Sequence, residues 1–309
     1  MTFSLVTYRD DGGEPRLGVR LLDGALLAPP ELKRWQYMRD LLDDWPQAAE
    51  VLSTMSLADL PVVGPYELLA PVRPHKVLCA GVNYRKHIRE MGGAVPDAGW
   101  QPYFFLKPPS TTVIGPADPI VVHRSAQARY DWEAELAVVI GIGGRDIDAR
   151  DALDHVAGYC VANDVTARGY HRRPTVPAEA FTYDWFAAKA IDSSLPLGPG
   201  ITPAFYVADP QDLRLRLWVN DELQQDESTS DMICPVAQLV AAASAVVTLE
   251  PGDVISTGTP AGVGAGRGRQ LQHGDVVRVA VDGLGEIANR VVDADRRPRN
   301  GTGSALNRP

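Results

Sequence analysis

Lysine is scarce in this 309-residue chain: Lys33, Lys76, Lys86, Lys107 and Lys189 are the only five, and arginine supplies every other basic side chain. Cysteine is scarcer still. Cys79, Cys160 and Cys234 are widely spaced and form no CxxC, which excludes a disulfide framework and a zinc knuckle and leaves buried free thiols as the expectation. Long apolar runs are missing too. The longest, 236–249, is interrupted by Gln238, Ser244 and Thr248 and is too short to span a bilayer. The first ten residues alternate like a strand and lack the basic start and apolar run of a secretory signal, so a cytoplasmic location is expected. Positive charge is in deficit, with 30 Lys and Arg against 39 Asp and Glu for a net charge of −9, which disfavours nucleic acid and anionic membranes as partners.

What is present describes a globular chain. With 45% hydrophobic and 22% charged residues it can bury a core, and its length suggests about two domains. Residues 2–28 read as short strands turning at Asp10–Gly13 and at Asp23-Gly24. Leu32, Trp35, Met38, Leu41 and Leu42 have helical spacing, and the proline-rich stretch 61–74 reads as a connector. The expected organisation is a small β-rich N-terminal domain over 1–70, a catalytic domain over 71–293 and a frayed tail over 294–309. Strands are expected at 76–80, 136–141, 158–162, 213–219, 253–256 and 275–281, and helices around 149–156 and 235–248. Asn83 is a candidate N-cap for a helix carrying His87 and Glu90.

The chemistry concentrates in a few segments. In Asp131-Trp-Glu-Ala-Glu-Leu136, strand alternation turns Asp131, Glu133 and Glu135 to one face, next to an apolar strand without a solvent side. Carboxylates gathered beside a core repel and desolvate unless a cation neutralises them, and an all-oxygen set suits Mg²⁺, Mn²⁺ or Ca²⁺. An acidic face on an edge strand is the other reading of this segment. Asp164, at the end of an apolar strand, makes a further ligand available, though an Asx-turn is the commoner role for such a residue. His87 and Glu90, three apart on a helix, form a candidate general-base pair or an ordinary surface pair. Thr257–Gly264 could present N–H groups and hydroxyls to an anion, but no helix is expected after it and no Gly-Lys-Ser/Thr is present, so it is not a nucleotide loop. Lys107 and Lys189 lie in apolar surroundings that favour a paired or substrate-binding role, while a snorkelling surface lysine, the usual fate of this residue type, is the other reading.

Taken in order, Gly81–His87 with Glu90, Phe105–Pro108, Asp131–Gly141, Asn163–Arg168, Lys189 to Pro199, Asp231-Met232 and Gly252–Gly264 resemble the fumarylacetoacetate hydrolase superfamily over roughly residues 74–292. The resemblance implies an α+β, mainly β fold: a mixed β-roll or β-sandwich with flanking helices, forming a homodimer. It implies Mg²⁺ held by Glu133, Glu135 and Asp164, with Mn²⁺ or Ca²⁺ as alternatives. It places His87 and Glu90 as a catalytic dyad on a lid, Lys189 as a further catalytic group, and Lys107, Thr259, Gly258 and Arg168 against the substrate. His171 stands where many members carry a substrate-touching Gln, which leaves the substrate open, and the long polar and aromatic stretch 172–185 before Lys189 is a candidate lining of the pocket. The reaction implied is hydrolytic C–C cleavage of an acylpyruvate or other 1,3-diketo acid, as in aromatic breakdown. Oxaloacetate decarboxylation and hydration or isomerisation of unsaturated 2-oxo acids are the alternatives. A cation-stabilised binding protein without catalysis is the reading from another class.

Overall fold

Strand Ala134–Ile140 is buried at every residue, and such a strand must have both faces of its sheet covered. The computed structural model, which describes residues 2–294 except 12, 98, 124 and 126, supplies both covers. Leu136, Val138 and Ile140 pack with Leu215, Leu217, Val277, Val279 and Ile287 of a five-stranded sheet. Ala137 and Val139 pack instead with Leu41, Leu42 and Trp45 of two helices, Met38–Asp43 and Trp45–Thr54. The result is three layers: helices, an eleven-stranded sheet and a five-stranded sheet. In the smaller sheet, Val276–Val281 alternates buried and half-buried residues, as expected for a strand with one wetter face.

The first strands join the larger sheet. Phe3–Asp10 pairs with Arg16–Leu21 as a hairpin and places Leu5 opposite Ile201 of strand Leu195–Pro203, so the described residues before position 70 share a sheet and a core with the strands that follow. The proline-rich connector contains a short strand, Tyr66–Leu68, on the edge of Phe3–Asp10. The helical spacing over 30–52 breaks into a 3-10 turn, Pro30–Arg34, and the two helices, because Pro46 suits the first turn of a helix but not its interior. Of the two helices expected further on, 235–248 is found as Val236–Val246, while 149–156 holds only a 3-10 turn, Ala152–His155, before strand Val156–Asn163. The tail expected over 294–309 lies, beyond its first residue, outside the described residues. Cys79, Cys160 and Cys234 are buried and free. No helix among the described residues is long and apolar enough to cross a membrane.

Candidate active site

Sheet register assembles the acidic cluster. Strands Ala134–Ile140 and Val156–Asn163 run antiparallel with Ala134 opposite Asn163, and the Asp164 N–H donates to the Glu133 carbonyl at 2.9 Å. Strand Val254–Ser256 flanks on the other side and ends with the Ser256 hydroxyl and the Gly258 N–H donating to Glu135 Oε2, the latter at 2.9 Å. Glu133, Glu135 and Asp164 are all buried and present oxygens within 4.8 Å of one another. Asp131 does not join them. The strand is interrupted at Trp132 and Glu133, so the alternation expected from Asp131 to Glu135 fails. Asp131 accepts instead from the N–H groups of Trp132, Gly264 and Ala265 and from Arg168 Nε at 2.9 Å.

Three buried or near-buried cations answer these carboxylates. Lys189 Nζ donates to Glu133 Oε2 and Asp164 Oδ2, both at 2.6 Å; Lys107 Nζ lies 2.6 Å from Asp164 Oδ1; Arg168 donates to Glu133 Oε1 at 2.6 Å. Burial opposes the charge on Lys189, but Asp164 and Glu133 outweigh it and hold the amine protonated well above its ordinary range. Burial likewise opposes the charge on Glu133, and Lys189 and Arg168 outweigh it, so that carboxyl is held below its ordinary range. Glu135 goes the other way: burial, then the charges of Asp164 and Glu133, raise it well above. Among the described residues Glu135 has no cationic partner within ion-pair distance. Glu135 is therefore the carboxyl left without a cation, and it stands beside the oxygens of Glu133 and Asp164 where a hard divalent ion would be held. The donor set fits Mg²⁺ or Mn²⁺.

His87 and Glu90 lie on helix Arg85–Glu90 over this cluster. His87 Nδ1 is 3.0 Å from Glu90 Oε2, and Glu90 Oε1 accepts from the Gly262 N–H at 2.9 Å. Burial works against the charge of Glu90, but these two contacts outweigh it and lower its pKa. Asn83 does not cap this helix. It is fully buried, with Nδ2 donating to the carbonyls of Cys234 and Thr257 and Oδ1 accepting from the Cys234 N–H, which ties the root of the helix to the segment entering the glycine loop. The loop itself does bind anions, but those of the protein: Gly258, Gly262 and Gly264 donate to Glu135, Glu90 and Asp131. It ends in a one-turn helix, Gly264–Arg267, where the sequence suggested none.

The remaining candidates are distributed around this centre. Thr259 donates to the Ala134 carbonyl and accepts from Gln225, at 2.9 Å each. Arg168 lies in the Asp131–Glu133 network rather than alone. His171 packs against Trp185, ring centroids 4.3 Å apart, and its pKa is lowered by burial and by Arg168 and Lys189. Ser256 and Thr166, the latter donating to Glu133 Oε1 at 3.1 Å, steer the acidic cluster but carry no signal in the sequence beyond their place in short hydroxyl-bearing segments.

Residues 76–292 match the family model described as Fumarylacetoacetate (FAA) hydrolase C-terminal. The chain is 37% identical to an oxaloacetate tautomerase, fahd2, mitochondrial, of Xenopus laevis, over 94% of this chain and 91% of that one. Among solved structures it resembles a fumarylacetoacetate hydrolase of Exiguobacterium antarcticum, with a TM-score of 0.80, 34% identity, and coverage of 94% of this chain and all of the other. It also resembles maleylpyruvate hydrolase of Sphingobium sp. SYK-6 in complex with manganese(II) and pyruvate, with a TM-score of 0.73, 33% identity and coverage of 94% and 99%.

Proposed function

Because the chain belongs to the fumarylacetoacetate hydrolase family, we propose that it is a divalent-cation-dependent enzyme working through the enolate of a 2-oxo acid that bears a second carbonyl at C4. One observation carries this reading. A single glycine loop holds both Glu135 of the acidic cluster and Glu90 of the His87 pair, so a base and a cation site are fixed to the same backbone segment. A cation held by Glu133, Glu135 and Asp164 would supply Lewis acidity toward the carboxylate and 2-oxo oxygens of the substrate. Glu90, ionised, can only accept, so the tautomer of His87 that carries its proton on Nδ1 is the one held here, with a lone pair on Nε2. In keto–enol exchange Nε2 takes the C3 proton and the oxygen on C2 gains one, so the reaction is complete without loss of any atom. Lys107 and Lys189 offset the charge of Asp164 and Glu133, so that a bound divalent cation would leave the site positive enough to admit an anionic acid, and Gly258, Thr259 and Arg168 hold the carboxylates and loop in register. The oxaloacetate tautomerase at 37% identity supports this outcome.

Hydrolysis is the second reading, favoured by the likeness to maleylpyruvate hydrolase. There His87 takes the proton from a water that attacks the C4 carbonyl; the C3–C4 bond breaks, C3 gains a proton, and a carboxylic acid and a 2-oxo acid leave. Oxaloacetate, acetylpyruvate, fumarylpyruvate and a 2-hydroxymuconate assayed side by side with Mg²⁺ separate the outcomes. Mg²⁺-dependent ketonisation of enol-oxaloacetate is expected, and His87→Ala should lower it by about 10²–10⁴-fold while Mg²⁺ affinity by calorimetry stays within twofold. Tight Mg²⁺ binding with no turnover of any of the four would overturn the enzymatic reading. The homodimer implied by the family resemblance is tested by light scattering on the eluting protein.

A further inference from the structure

Strand Tyr103–Lys107 carries a chemical gradient along one face. Lys107, buried, pairs with Asp164; Phe105, two residues away, lies under the Lys189 ammonium, 5.0 Å from Nζ to the ring centre; Tyr103, two further, is about half exposed. A strand advances about 6.5 Å for each such step, so this face runs from the acidic cluster to the surface over about 13 Å. Helix Trp185–Lys189 packs directly onto this face. Trp185 stands one turn before Lys189 and therefore on the same side of the helix. Its ring stacks on Phe105 at 5.1 Å and touches Tyr103 at 5.3 Å. His171 closes on Trp185 edge-on at 4.3 Å, with exposed Tyr183 beside it at 5.1 Å. His171 Nε2 is shielded from solvent and has no hydrogen-bond partner among the described residues. Its ring thus offers one unused polar contact within an otherwise aromatic lining.

We propose that Tyr103, Phe105, Trp185 and His171 form the subsite for the acyl tail of the substrate beyond C4, and that this lining selects a flat aryl or conjugated tail over a small one. The inference rests on the enolate reading for its orientation: the oxo-acid head is held at the acidic cluster, and the tail runs outward along the strand. Aromatic side chains gain most from a flat partner that stacks or meets them edge-on, and the half-exposed Tyr103 and the partly exposed Trp185 offer ring surface that a methyl or carboxylate tail would leave largely in water. The lone His171 Nε2 supplies a single hydrogen bond to a polar atom on that tail. His171, which departs from the family pattern, and Trp185, which ends the aromatic stretch after it, thereby acquire one joint role.

Two measurements on the full chain loaded with Mg²⁺ test this. In the first, 2-oxo-4-phenylbutanoate and 2-oxobutanoate, neither of which has a C4 carbonyl, are titrated calorimetrically. The phenyl compound should bind about tenfold more tightly, and Trp185→Leu should erase the difference; equal affinities in the parent protein overturn the subsite. In the second, kcat/KM is compared for benzoylpyruvate and acetylpyruvate. The aryl substrate should lead by about tenfold, with the preference in KM, and both His171→Ala and the half-exposed Tyr103→Leu should narrow the ratio. A ratio that neither variant moves, in protein that still unfolds cooperatively, overturns the proposal. Preferential binding of the phenyl compound without turnover of either dioxo acid would preserve the subsite and sink the enzymatic reading instead.

Discussion

Lys189 joins the acidic cluster to the aromatic wall, since one ammonium contacts Glu133, Asp164 and the face of Phe105. Removing one member of a buried ion network leaves the others uncompensated, at a cost of about 3–5 kcal/mol. Lys189→Met should therefore lower stability by an amount in that range, read by urea unfolding of the metal-free protein, and a change below about 1 kcal/mol would contradict the network. Glu90 makes a different prediction. Its folded pKa is depressed, so its contribution is fully present above the ordinary glutamate value of about 4.3 and disappears as pH falls through the lower folded value. The Tm gap between the parent and Glu90→Gln should stay constant above about pH 5 and shrink in more acidic solution. A gap that opens instead between neutral and alkaline pH would show that the contact does not depend on an ionised Glu90.

At the scale of elements, the glycine loop organises the site. Its N–H groups replace water around three carboxylates, which is how acidic side chains can stand beside a core without being released to solvent. Gly262 has φ of +105°, and a Cβ there would lie 2.1 Å from the Gln224 carbonyl oxygen. Gly262→Ala should destabilise by at least about 2 kcal/mol and also release Glu90 from the loop, so kcat should fall together with Tm. A normal Tm with normal turnover would mean that the loop accommodates a side chain after all. The interruption at Trp132 and Glu133 has an equally specific effect: it swings Asp131 away from the other carboxylates and onto the loop, where it anchors Gly264 and Ala265.

For the whole molecule, the net charge of −9 opposes the approach of an anionic acid, and only the local balance at the site reverses this. Two of the five lysines stand there. A bound divalent ion would turn the local excess positive, so metal and substrate should bind with mutual support. Mg²⁺ at a hundred times its Kd should raise stability by about 2.7 kcal/mol. Chelation should return Tm to the metal-free value with the β-type circular dichroism spectrum unchanged, because the layers on either side of Ala134–Ile140 are independent of the ion. Collapse of that spectrum on chelation would indicate a structural cation instead.

Much of this was legible in the residues. The apolar strands, the carboxylates at their ends and the His87–Glu90 spacing are local features, each decided by a few neighbouring residues, and the ordered motifs point to the family. What lay beyond the sequence depended on distant parts of the chain. Asn83 has the residue type of a cap, but its partners Cys234 and Thr257 are more than 150 residues away, and burial made those bonds the stronger demand. Asp131 looked like a fellow ligand until the strand break gave it backbone donors of its own. The pairing of Trp185 with Phe105 likewise exists only after folding. Local sequence determined which groups could carry charge or chemistry; tertiary structure decided which of them met, because burial forces every charge and hydrogen-bonding group to find a partner wherever the chain brings one.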